Sequence, residues 1–357
     1  MEKKKDVRMK IVMVSSHSCV RCHKIALPLI MKGHEVHLIA RKRVPLATFY
    51  KTFTQYDDLQ GCSDALKLHK DADIIHCHNE PSVFVMLAKE VTDKPVILDA
   101  HDSFLTRSTK EEQIKALEEG RPHTRVTAEE RTAFQLADGI NFVSESMKEV
   151  VSSEFGLDCP MTVLPSYVPN VWYKYHFKEW MGGLVYEGRV TTAKQQDQLT
   201  GTGSHYCDYQ HLATQCNEIG MDFHLYAGRE DEEFMSIYDP ICMVHKGYPY
   251  MDLLNEISAH DWGVVGNSIH TPQWQVALPN KMFDYLAAGV PSVVINAQAA
   301  SELVSEHKFG IVVSSVQELA ERWKEHRECR KHLFKARQDL AMENHIHIVE
   351  DLYAGVS

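Results

Sequence analysis

Long apolar runs are what this 357-residue chain has least of. No window approaches the roughly 20 apolar residues that a membrane-spanning helix needs. The amino terminus is charged over its first ten residues and then apolar only from Ile11 to Val14, which fits neither a secretory leader nor an anchor. Surplus positive charge is missing as well. The net charge is −11: residues 1–170 hold 23 Lys+Arg against 24 Asp+Glu (−1), and residues 171–357 hold 15 against 25 (−10). That balance excludes a broad basic face for nucleic acid. Repeats and low-complexity segments are absent. Nine cysteines, an odd number scattered through a long chain, suit reduced thiols in a cytoplasm better than a disulfide framework. Two small basic clusters remain, Lys3-Lys4-Lys5 with Arg8 and Lys10, and Arg41-Lys42-Arg43. They offer peripheral contact with the anionic inner face of a membrane, or are simply a solvated tail and a loop.

Apolar content of 44% and charged content of 24% are those of a soluble globular protein, and the length predicts two domains. Lys10–Val14, a helix to about Lys32 and Glu35–Ala40 form a βαβ unit, which implies a parallel sheet with its ligand site at the strand C-termini. Further strands are expected at 72–77, 94–99, 139–143 and 161–164, with helices at 82–90, 128–137 and up to Phe155. Pro165-Ser-Tyr-Val-Pro-Asn170 reads as a linker. A second α/β series follows, with strands at 184–186, 222–226, 243–245, 262–265, 292–295 and 311–313 and helices over 207–220, 250–259 and from Val316 onward.

Ala277–Pro291 reads as a helix running directly into a strand. Asn280 is a candidate cap, Pro279 stands just outside the first turn, Gly289 suits a left-handed C-cap and Pro291 ends the helix. Lys281 and Asp284 share a face near the helix N-terminus, whose free amides and partial charge suit a phosphate or a ribose-bearing ligand. A solvated Lys–Asp pair is the plainer reading. Gly188-Arg-Val-Thr-Thr-Ala-Lys194 follows the first strand of the second half. There Arg189 as a fork and Lys194 as a point charge could clamp a diphosphate; two solvent-exposed cations are the alternative.

The Gly-Arg-x4-Lys arrangement after a strand resembles the retaining GT-B glycosyltransferases of the family-four kind. Lys10-Ile-Val-Met-Val, Gly33-His-Glu-Val-His-Leu, Asp73-Ile-Ile-His-Cys-His78, Val96-Ile-Leu-Asp-Ala-His-Asp102, the Glu130–Asn141–Ser144 stretch, His224-Leu-Tyr-Ala-Gly228, Lys246-Gly-Tyr and Leu278–Pro291 extend the resemblance over most of the chain. It implies two Rossmann-like doubly wound domains facing a cleft. Residues 1–168 would form the acceptor-side domain and 169–335 the nucleotide-sugar domain, with a helix over 336–357 crossing back to the first. It further implies a transferase that takes a sugar from a nucleoside-diphosphate sugar, a UDP-sugar first of all, to an acceptor that the residues do not name, with retention and without a metal. By that resemblance Arg189 and Lys194 hold the diphosphate, His101 contacts the donor sugar, and Gly228, Asn280, Lys281 and Asp284 edge the nucleotide.

Two departures stand out. Val276 occupies the position of the first acid in the family's Glu-x7-Glu motif, and Ser15-Ser16-His17-Ser18 replaces the glycine-rich loop expected after the first strand. They keep two other readings open: a nucleotide-sugar 2-epimerase on the same fold, and a non-catalytic sugar-nucleotide-binding subunit. Cys19-Val-Arg-Cys-His23 matches the haem-attachment pattern but sits between a strand and its helix. His76-Cys-His78 with Glu80 lacks an evident complementary ligand pair. Asp71-Ala-Asp73 lies at the wrong end of its strand for a metal-holding DxD. The aromatic run Trp172, Tyr173, Tyr175, Phe177 and Trp180 is expected to pack the hinge, with stacking on an acceptor as the alternative.

Overall fold

The computed structural model describes residues 8–16, 19–78, 83–119, 123–174, 179–192, 195 and 207–357. Two all-parallel sheets organise these residues. The first has seven strands: β1 (Lys10–Ser15), β2 (Glu35–Ala40), β3 (Thr52–Gln55), β4 (Ile74–His78), β5 (Val96–Ala100), β6 (Gly139–Phe142) and β7 (Met161–Val163), in the order β3-β2-β1-β4-β5-β6-β7. The second has six: β8 (Leu184–Glu187), β9 (Phe223–Tyr226), β10 (Met243–Val244), β11 (Trp262–Gly266), β12 (Ser292–Ile295) and β13 (Gly310–Val313), in the order β10-β9-β8-β11-β12-β13. Central strands such as β4 and β5 are buried along their whole length, as strands covered on both faces by helices must be. In both sheets the winding reverses beside the first strand, between β1 and β4 and between β8 and β11. Those reversals open crevices at the strand C-termini.

Not every element matches the sequence reading. The edge strand β3 carries Thr52, Thr54 and Gln55, and its polar composition hid it. The helices Leu59–Lys67, Lys110–Glu118, Glu232–Tyr238 and Gln298–His307 were likewise not expected. The second of these did announce itself: Thr109 and Glu112 form a reciprocal capping box at its start. In the Asn280–Ala288 helix the cap differs from expectation. Pro279 occupies the N-cap position and Asn280 is already helical, so the Asn280 side chain caps no amide and instead lies 3.5 Å from Lys24 Nζ. Gly289 closes the helix as read, at φ +83°.

Tyr285 fastens that helix to the second sheet. Its ring lies flat on Gly263 of β11, where an added Cβ would sit 2.3 Å from ring carbons. Its hydroxyl accepts from the Glu187 amide at 3.2 Å and lies 3.3 Å from the carbonyls of Val185 and Val264. Arg337 closes the other end, donating to the Leu286 and Ala287 carbonyls at 2.8 Å each.

Contacts between the two sheets' domains combine apolar packing with buried polar pairs. Lys24, on the Val20–Met31 helix of the first, forms a 2.7 Å ion pair with Asp284 of the second; the two side chains are 0% and 3% exposed. A short helix, Pro272–Val276, reaches across the cleft: Gln273 donates to Asp102 at 2.9 Å, Thr106 donates to Gln273, and Ser144 donates to the Val276 carbonyl. The last helix, His347–Val356, lies against β6 and β7, with Tyr353 hydrogen-bonded to His76 at 2.7 Å and Glu350 paired with Lys32 and His34. Trp172 and Tyr173 pack at this junction, against Phe49 and Tyr250 and against Arg337, so those two serve the hinge. Tyr175 and Phe177 lie outside the described residues. No helix among the described residues is long and apolar enough to cross a membrane.

Two outcomes follow for unfolding in urea. Gly263→Val drives the Tyr285 ring off β11 and should lower stability by about 3 kcal/mol or more. Lys24→Met strands the Asp284 carboxylate in a dry site and should cost about 3–5 kcal/mol, whereas Lys24→Met with Asp284→Leu should recover most of that loss.

Candidate active site

The two crevices face each other across a cavity of about 490 Å³. Ser15, Ser16 and Cys19 line it from the end of β1, His78 from β4, and His101, Asp102 and Arg107 from the loop after β5. From the second domain come Tyr186 and Glu187 at the end of β8, Gly188 and Arg189 just after it, then Gln273, Trp274 and the start of the Asn280–Ala288 helix with Lys281 and Asp284. Of the residues singled out in the sequence, the structure thus brings together His101, Arg189, Asn280, Lys281 and Asp284. Gly228 is not among the lining residues; it sits at φ +63°, and the Gly247 Cα lies 3.8 Å from where its Cβ would be. Lys194 lies outside the described residues, as do His17, Ser18 and Glu80.

Asp99, fully buried at the end of β5, organises the first-domain wall. Arg21 grips both its oxygens, at 2.5 and 3.1 Å, and Asn141 donates to it at 2.8 Å. Burial alone would raise this carboxyl, but the guanidinium and the neighbouring imidazoles hold it well below the usual carboxylate range. Its Oδ1 lies 3.4 Å from His101 Nδ1. Burial works against a charged imidazole there, yet the adjoining Asp99 carboxylate and Cys19 sulfur push His101 up to about 10. The loop that carries it is pinned by buried Glu130, which accepts from Ser103 at 3.0 Å and from the Phe104 amide at 2.9 Å.

His76, His78 and Asp99 bring their donor atoms within 4.8 Å of one another, a juxtaposition the sequence reading of His76-Cys-His78 lacked for want of Asp99. The positive charge that a cation would supply is already supplied there by Arg21. Asp71 and Asp73 are occupied by Lys10 at the N-terminal end of β4. Cys22 and His23 face the core, against Met13 and Tyr50, which removes the haem reading.

On the second-domain wall Asp284 is paired with Lys24, not with Lys281 as its spacing suggested, and it also accepts from Tyr250 at 2.6 Å. Lys281 instead lies over the rings of Tyr186 and Trp274, at 4.9 and 5.4 Å. Glu187, which the sequence reading passed over, is buried beside Asp284. Desolvation and that neighbouring carboxylate push it up to about 8, against the pull of Lys281 and Lys24. Val276, where the resemblance led us to expect an acid, turns away from the cavity and joins the apolar core of the first domain, leaving Gln273 and Trp274 to line the pocket.

The charge balance of the cavity follows. At neutral pH Glu187 holds its proton and Asp284 is cancelled by Lys24. Arg107, Arg189, Lys281 and protonated His101 then outnumber the one remaining lining carboxylate, Asp102. A preorganised excess of positive charge at two switch points, flanked by aromatic faces, suits a phosphorylated ligand.

Residues 20–169 match the model for glycosyltransferase family 4, and residues 203–339 match the model for the C-terminal domain of glucosyltransferase 3-like proteins. A search of curated proteins by sequence returned no match. Among solved structures, sucrose-phosphate synthase from Thermosynechococcus elongatus superposes with a TM-score of 0.71 at 13% identity, over 97% of this chain and 100% of the other. HepE from Anabaena, in complex with UDP-glucose, gives 0.67 at 13% identity over 97% and 100%. AviGT4, a glycosyltransferase of avilamycin A biosynthesis, gives 0.55 at 14% identity over 97% of both chains. At such identities these likenesses speak for the fold. Taken with the two family models, which between them span both domains, they make the chain a family-four-like glycosyltransferase of the GT-B fold.

Proposed function

We propose that the protein transfers a sugar from a nucleoside-diphosphate sugar, a UDP-sugar first of all, to a second molecule with retention of configuration. The observation that carries this is the gathering of Arg107, Arg189, Lys281 and His101 around one cavity whose Asp284 carboxylate is cancelled by Lys24. HepE, a structural neighbour, was crystallised with UDP-glucose, with UDP, and with UDP and glucose. In this reading Arg189 and Lys194 neutralise charge developing on the departing diphosphate, where fixed charges contribute most to rate. Lys281 and the amides opening its helix add to that field. His101, protonated and held by Asp99, donates to the transferred sugar. Asp284 acts chiefly through Lys24 and Tyr250, so its part toward the ribose is to hold the helix start in place. The side chain at 276 takes no part in the sugar pocket.

Arg189→Ala and Lys194→Ala should each lower kcat/KM for UDP release from UDP-glucose by about 100-fold or more, with unchanged circular dichroism. Near-normal transfer in both would remove the assignment. Glu187 supplies a pH test. A raised carboxyl is neutral below its pKa and charged above it, so UDP affinity measured by calorimetry should weaken as pH rises through about 8. His101 stays protonated over that interval. Glu187→Gln should flatten the profile.

A further inference from the structure

Cys19-Val-Arg-Cys22 is left unexplained by the transfer chemistry, and its placement is specific. Cys19 is the N-cap of the Val20–Met31 helix, with extended backbone (φ −72°, ψ 144°); it is half-buried and lines the cavity. Cys22 lies one turn on, fully buried, with its amide bonded to the Cys19 carbonyl at 3.1 Å. A turn closed this way brings the two Cα atoms to about 5–6 Å, inside the range a disulfide spans. We propose that Cys19 and Cys22 form a dithiol–disulfide pair in the wall of the cavity, and that oxidation of this pair by a disulfide oxidant switches transfer off. The second half of this statement rests on the functional reading given above; the first does not.

The two sulfurs are electrically distinct. Burial would raise the Cys19 thiol. The hydrogen bond and charge of His101, with the Cys22 amide, outweigh both that and the repulsion of Asp99, and they hold it below its ordinary value. The N-terminal end of a helix adds to the effect. Cys22 is pushed well above the ordinary value by burial, then by Cys19 and Asp99, against the hydrogen bond from Tyr50. One cavity-lining thiol of lowered pKa backed by one buried thiol is the division of labour that disulfide exchange requires.

The exchange balances without any group the chain lacks other than the oxidant, an organic disulfide RSSR. The Cys19 thiolate attacks one sulfur, forms a Cys19–SR mixed disulfide and expels RS⁻. Cys22 then rotates about χ1 away from Met13 and Tyr50, gives its proton to the departing thiolate or to water, and attacks Cys19 Sγ, expelling the second RS⁻. Two thiols lose two electrons, and one RSSR gains them. Cys19 is lost in the product as an acceptor for His101, and Asp99 alone is left to hold the imidazole at the sugar position.

The test uses the full-length protein in buffers of graded oxidised and reduced glutathione, quenched with N-ethylmaleimide and digested with trypsin. Cleavage after Arg21 leaves Cys19 and Cys22 on separate peptides, so only a disulfide keeps them together in the mass spectrum; Cys207, which also lines the cavity, reports separately. We expect a 19–22 linkage that dithiothreitol reverses, and transfer falling at least tenfold and returning with it. Cys22→Ala should retain reduced-state transfer within about twofold and accumulate glutathione on Cys19. In the reduced wild type, the midpoint of Cys19 alkylation by iodoacetamide should lie below that of an ordinary thiol, near 8.5. His101→Asn should move that midpoint up. Absence of the linkage with an ordinary alkylation profile overturns the pair, and linkage with unchanged transfer overturns the switch. Normal linkage in a protein whose reduced form transfers nothing upholds the pair and defeats the transferase reading instead.

Discussion

Asp99 is the charge around which the first-domain wall is built. A carboxylate with no solvent exposure is tolerable only if its charge is met, and here Arg21 and Asn141 hydrogen-bond to it while the imidazoles of His76 and His101 stand 3.6 and 3.4 Å away. Each partner comes from a different element, so satisfying one side chain fixes the helix after β1, the ends of β4 and β5, and the interior of β6. His101 inherits its proton from that arrangement, and Cys19 inherits its acidity from His101. The electrostatics of the cavity are thus set one layer behind its surface.

The facing wall uses the opposite device. Two carboxyls, Glu187 and Asp284, lie side by side, and the structure keeps only one charged, cancelling it with a lysine from the other domain. The cavity therefore gains its positive excess less by adding cations than by silencing acids. The acidic balance of residues 171–357 resides elsewhere on the surface and does not oppose it.

Much of this architecture was legible in the sequence, because parallel strands buried on both faces read as plain apolar runs and the Gly289–Pro291 punctuation is local. The match over Arg189 and the 278–291 stretch carried the fold and the family. Four residues of the site were not legible. Arg21 and Lys24 share a helix face, but nothing local says that one meets a carboxylate 78 positions away and the other meets one in the second domain. Arg21 stands inside the haem-like Cys19–His23 string, and Lys24 just beyond it carries no motif. Asp99 did leave a trace, an acid ending an otherwise apolar strand. Glu187 left the same trace at the end of β8 and was overlooked beside the better-known Gly188-Arg189. Val276 misled in the other direction: matched by position it stood for a missing acid, whereas its side chain belongs to the packing of the first domain.

The Pro272–Val276 helix has a mechanical consequence. It belongs to the chain of the second domain, yet its hydrogen bonds run to Asp102, Thr106 and Ser144 and its terminal valine is embedded in the first. Lifting this helix off the first domain means breaking three hydrogen bonds and wetting one isopropyl group within five residues. That makes the helix a strap of small, local strength, whose stiffness can be tuned at 276, away from the cavity lining, whereas Gln273 both bridges the domains and lines the cavity.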